Sequence, residues 1–308
     1  MAKKKPSRPS KSAPRKAAVG TGRTKKASAA SPKAGKAAAR TAYSVAVDPK
    51  KSSLKRREAF AQDPTELCSS SKTFASVLKV LRDPSEPIDV RLSAFDAVAV
   101  ARFSARDFES CRSDYIAALR EVAEDADPEL RQRALGMLAR EKDGFAQKKL
   151  LAGLKNPDKA LVPPEKALQL LGYDIHTDAY AYAREIVAKP PNSLAKQEAL
   201  RLLASDPTSA SLLEKVLRDK SESVEDRQIS AAALHAINPS KYQDQARELL
   251  LDQDENPDIQ SMSMTALNYF GDQKIADDKV LLERVDELAK KGASAIKPQA
   301  KQLRSKYQ

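Results

Sequence analysis

The chain has 308 residues, room for one large domain or two ordinary ones, with 41% hydrophobic residues but only 5% aromatics, no Trp and nine Gly. Ala and Leu carry the apolar content, which suits closely packed helices and suits sheets poorly, and no apolar run approaches the roughly 18 residues of a membrane span. The net charge of +12 is segregated: residues 1–57 hold 18 Lys and Arg against the single acid Asp48, whereas the remaining residues hold 36 bases and 41 acids.

Residues 1–50 read as a disordered basic tail. The stretch "MAKKKPSRPSKSAPRKAAVGTGRTKKASAASPKAGKAAAR" has no apolar periodicity with which to bury a face. Its cations are Lys3, Lys4, Lys5, Arg8, Lys11, Arg15, Lys16, Arg23, Lys25, Lys26, Lys33, Lys36 and Arg40. Cations so closely spaced displace counterions from a phosphate backbone, which predicts salt-sensitive, sequence-independent binding of DNA or RNA. The competing reading is a solubilising or targeting segment, with Arg15-Lys16 and Lys25-Lys26 as paired bases of a nuclear address. No apolar stretch follows the basic start, so a secretory signal is not expected. In composition this stretch resembles the lysine-, alanine- and proline-rich tails of linker histones and some bacterial histone-like proteins.

Residues 51–71 read as a leading capping helix and linker. From residue 72 to 276 a series resolves. "VLRDPSEPIDVR" at Val80 to Arg91 returns as "VLRDKSESVEDR" at Val216 to Arg227, and further members lie between them. A small residue recurs at Ala94, Ala134, Ala167, Ala199, Ser230 and Ser263. Four positions later stand Val98, Leu138, Leu171, Leu203, Leu234 and Leu267; just after the small residue stand Phe95, Leu135, Leu168, Leu200, Ala231 and Met264. Positions n, n+1 and n+4 share one helical face, so each line marks the same buried stripe. The steps of 31 to 40 residues give a helical-repeat solenoid of about six helix pairs. Each pair gains its first helix from an apolar stretch upstream, such as "YIAALREV" or "ASLLEKVL". Asp127-Pro128 and Asn256-Pro257 read as an N-cap followed by proline at the first helical position. Pro163-Pro164 shorten the second helix of the third unit, and residues 277–308 read as C-terminal capping helices.

"DPELRQRALGMLAR" (Asp127 to Arg140) resembles the turn and second helix of HEAT repeats, and "NPDIQSMSMTALNYFG" is a looser copy. The resemblance covers roughly residues 72 to 270. It implies an all-α solenoid, and three enzyme families of similar repeat type need weighing. Deoxyhypusine hydroxylases hold iron through repeated His-Glu pairs; here there are only His176 and His235, and neither precedes Glu. HEAT-like DNA glycosylases use groove-lining aromatics including Trp, which this chain lacks. Bilin lyases leave no motif to identify here. No phosphate loop, metal cluster or nucleotide turn is present, and Cys68 and Cys111 lack metal-ligand spacing and suit a reducing compartment.

Two local features remain as candidate partner contacts. Tyr173, Tyr180 and Tyr182 are three of the eight tyrosines within ten residues, read either as partner anchors or as inward packing at a helix start. Three residues before each small anchor stand Arg91, Arg131, Pro164, Lys196, Arg227 and Gln260. The four cations form either a row along a groove or a structural ladder paired to turn acids such as Asp83, Asp127 and Asp219. The expectation is therefore a non-enzymatic scaffold without cofactor, metal or membrane contact, gripping a protein partner with its solenoid and nucleic acid with its tail. It would sit in the cytoplasm, associated with a nucleoid or nucleus. The alternative is an enzyme on a HEAT-like fold, a DNA glycosylase-like or bilin-lyase-like activity.

Overall fold

The computed structural model describes residues 42–62, 64–103, 108–174 and 177–307. The described residues form an α-solenoid of paired helices. A short helical stretch at 42–46 and α1 (Ser53–Phe60) lead into seven pairs. These are α2 (Ser71–Arg82) with α3 (Ile88–Ala101), α4 (Arg112–Val122) with α5 (Pro128–Arg140), and α6 (Gly144–Lys155) with α7 (Pro164–Leu171). They continue as α8 (Thr177–Ala188) with α9 (Ser193–Leu202), α10 (Ala210–Arg218) with α11 (Val224–Ile237), α12 (Pro239–Leu251) with α13 (Pro257–Phe270), and α14 (Lys279–Lys291) with α15 (Ile296–Lys306).

The helices start where side chains replace missing backbone partners. Asp127 accepts from the N–H of Leu130 at 2.9 Å with Pro128 in the first turn, and Asn256 does the same for Asp258 at 2.8 Å ahead of Pro257. Asn192 caps α9 through the N–H of Ala195 at 2.7 Å. The third unit's second helix, α7, begins at Pro164 and runs only eight residues.

Second helices stack on second helices, α7 on α9, α9 on α11, α11 on α13 and α13 on α15, while α2 packs on α4 and α12 on α14 in the first layer. The periodic stripe is what the layers bury: all eighteen residues at its three positions lie in the core, from Ala94, Phe95 and Val98 to Ser263, Met264 and Leu267. Small residues at the first position let the helices of a pair approach closely.

One boundary differs from the sequence reading. The stretch 1–50 was expected to lie outside the fold, yet Tyr43 and Ala46 are buried, and the Ala46 carbonyl accepts from Arg56 Nε at 2.9 Å. Tyr43 and Ala46, with the partly buried Val45 and Val47, pack this stretch onto the core. The capping helices α14 and α15 continue both layers as a further pair. Residues 1–41, including all thirteen tail cations, and His176 lie outside the described residues.

Candidate functional site

The four cations that precede the stripe are held within the array. Arg91 donates from Nε to the Leu81 carbonyl at 3.0 Å and pairs with Asp125. Arg227 repeats the move on the Leu217 carbonyl at 2.7 Å and pairs with Glu255 at 2.6 Å, the two side chains only 3% and 1% exposed. Lys196 pairs with Glu222. Arg131 finds carbonyls instead, those of Leu161 at 2.6 Å and Asp125 at 2.7 Å. In its complete form each rung closes the end of the unit's first helix and reaches an acid about thirty residues further on, in the turn of the next unit. Proline at position 164 leaves the third unit without a cation there, and Gln260 keeps only a carbonyl contact, from Nε2 to Asp252 at 3.1 Å.

The acids differ from those expected. Asp83 and Asp219 accept from Ser85 and Ser221, each through the N–H at 2.9 Å and through the hydroxyl, and those serines hold both carboxyls below the usual aspartate range. Asp127 is committed to capping α5. The rungs use Asp125, Glu222 and Glu255. Burial works to raise the Asp125 carboxyl, but the Arg91 hydrogen bonds and the Asp127 N–H more than offset it and leave it lowered. Sequence reasoning also missed Arg56, which bonds the Ala46 carbonyl and Glu86, and Arg284, which donates to the Leu250 carbonyl at 3.0 Å. Arg56 stands 35 residues before Arg91, so the repeat period itself was the available signal.

Among the three tyrosines, the structure brings two together. Tyr173 is 45% exposed, with the Arg140 guanidinium 5.3 Å from its ring centre. Tyr180 packs inward at the start of α8, where burial, with Asp206 adding to it, pushes its hydroxyl up. Both line a hollow of about 230 Å³ with Leu168, Glu198 and Arg201, and Glu198 pairs with Arg201 at 2.7 Å. Tyr182 is half-buried and does not line it. His235 stacks among rings, 4.3 Å from Phe270 and 5.5 Å from Tyr242. Cys68 and Cys111 are buried and form no disulfide with each other. Among the described residues no three His, Cys, Asp or Glu side chains gather to hold a metal ion, and no helix is long and apolar enough to cross a membrane.

The architecture defines the class: an all-α solenoid of paired, repeated helices. No family model matches the chain, and no curated protein does. A solved structure of human deoxyhypusine hydroxylase, in complex with glycerol, is similar to it at 15% identity and a TM-score of 0.34, over 77% of this chain and 96% of that one. That protein is an enzyme, so the expectation of a non-enzymatic scaffold is corrected: the likeness stands with the alternative, an enzyme on a helical-repeat fold, and the absence of catalysis is withdrawn. At this TM-score it assigns the chain no reaction.

Proposed function

We propose that this is a HEAT-like repeat protein that binds nucleic acid without sequence preference through the cations between Lys3 and Arg40, while its solenoid presents a surface to a protein partner. The observation that carries the reading is charge segregation: residues 1–40 hold thirteen Lys and Arg and no acid, ahead of a body with more acids than bases. The HEAT-like assignment rests on two-helix units at steps of 31 to 40 residues that bury one shared stripe. The domain plan that follows has a basic segment ending before residue 42, a leading helix, six repeats and a closing pair. Its placement would be cytoplasmic, on a nucleoid or in a nucleus.

Within the solenoid the partner surface is better sought at the Tyr173 hollow than along Arg91, Arg131, Lys196 and Arg227, whose charges are already engaged. The test of nucleic-acid binding replaces all thirteen tail cations by Gln in the full chain and measures affinity for two duplexes of unrelated sequence. The reading expects the parent chain to bind both alike and the variant to lose most of that affinity. Equal binding by parent and variant overturns it.

A further inference from the structure

The body is not uniformly acidic. Residues 58–287 hold 30 bases and 41 acids, but residues 288–308 hold six bases, Lys290, Lys291, Lys297, Lys301, Arg304 and Lys306, and no acid. This second basic segment lies within the described residues and covers the end of α14 and the whole of α15. Arg304 is engaged by Asp286 at 3.1 Å, and Lys306 donates to the Asn268 carbonyl at 2.7 Å. Among the described residues Lys290, Lys291, Lys297 and Lys301 have no ion pair, and Lys290, Lys291 and Lys301 are exposed. Lys297 and Lys301 are four residues apart, hence on one helical face about 6 Å apart along the axis. Lys290 and Lys291 stand at the other side of the short turn that joins α14 to α15. The opposite end of α15 is fixed against α13, because Lys306 bonds the Asn268 carbonyl and the Tyr307 hydroxyl donates to the Gly271 carbonyl at 2.6 Å. There Tyr269 is 71% exposed, beside Phe270 at 53%, the two rings 6.4 Å apart.

We propose that α15, with the end of α14 and the ring of Tyr269, is a second nucleic-acid contact, built to take a single strand. Four cations without an ion pair attract phosphates, and the exposed ring of Tyr269 offers a face that an unpaired base can use. Exposed lysines on the rest of the array stand in stretches that also carry acids, and Lys142, Lys220 and Lys274 pair with one. Residues 288–308 carry no acid. The surface would hold a strand locally, and it does not rest on nucleic-acid binding by the N-terminal cations.

The experiment uses the full chain and two probes, a single-stranded oligothymidylate and a duplex of equal length, across a range of salt. In one variant Lys290, Lys291, Lys297 and Lys301 become Gln; in another Tyr269 becomes Ala; a third carries the thirteen tail substitutions. The four-lysine variant should bind the single strand more weakly, with the slope of log K against log salt shallower by about 0.7 for each phosphate that is no longer neutralised. Tyr269→Ala should weaken single-strand binding about 5- to 150-fold and leave duplex binding unchanged. Because all five side chains point to solvent or lie half-exposed, melting should not move. Single-strand affinity and slope unchanged in both variants would overturn the proposal even where the tail variant loses its binding, so the two sites succeed or fail separately. Equal loss of duplex and single-strand binding on Tyr269→Ala would overturn the single-strand assignment.

Discussion

At the scale of the residue, the strongest constraint is the buried pair Arg227–Glu255. Glu255→Gln leaves the guanidinium without its counter-charge where water cannot replace it, and the expected cost is about 3–5 kcal/mol by urea unfolding. Arg133→Gln, which removes pairs to Asp96 and Glu129 that are all well exposed, should cost about 1 kcal/mol or less. Equal losses in the two variants would mean that burial does not set the strength of these pairs. Lys142 is the one non-glycine with a positive φ among the described residues, at 56°, closing α5 ahead of Asp143. Lys142→Gly relieves that left-handed backbone at some entropic cost, so a net gain of about 0.5–1 kcal/mol is expected, and a loss in thermal melts would show that the exposed Lys142–Asp174 pair matters more.

At the scale of the element, the stripe was legible because its period is local: n, n+1 and n+4 sit on one helical face whatever the rest of the chain does. Leu138 and Leu203 are fully buried at the centre of the stack, and truncating either to Ala should cost about 2–5 kcal/mol. Val98, nearer one end, should cost less on truncation; neutral central changes would mean the wrong face had been identified. The ladder was only half legible. Its cations recur in step with the stripe, but each acid arrives from the next unit, and the nearer turn acids are taken by local geometry. Asp83 and Asp219 close Asx turns on serine, and Asp127 caps a helix, so sequence proximity pointed to the wrong partners. The tail boundary was missed for a similar reason. Tyr43, Val45, Ala46 and Val47 form one short apolar stretch with no repeat to align it to, yet the core and Arg56 hold it in place.

At the scale of the whole molecule, the carboxyls that hold turns, caps and units together share one sign. Asp83, Asp125, Asp143, Asp206, Asp219, Asp252 and Asp278 are all held below 3.8. For Asp125, Asp143 and Asp206 burial pulls the other way and is outweighed by hydrogen bonds; for Asp252 and Asp278 the Lys220 and Arg247 bonds lead. Folded values below unfolded ones mean that the unfolded chain binds more protons in acid. Their contribution is therefore complete above about pH 4 and is lost as pH falls below it. Melting temperature should drop steeply there, and a flat profile between about pH 5 and pH 3 would show that these carboxyls do not stabilise the array.

The same scale carries the central proposal, that a strongly basic N-terminal segment joins a more acidic helical array to nucleic acid. Its most direct test is the salt dependence of full-chain binding to a duplex, compared with the chain whose thirteen tail cations are Gln. If the tail neutralises about six to ten phosphates, affinity should fall about 10³- to 10⁵-fold between about 50 and 200 mM salt, and most of that slope should disappear in the variant. A parent chain whose affinity does not change with salt, or a variant that keeps the parent's slope, would contradict the account.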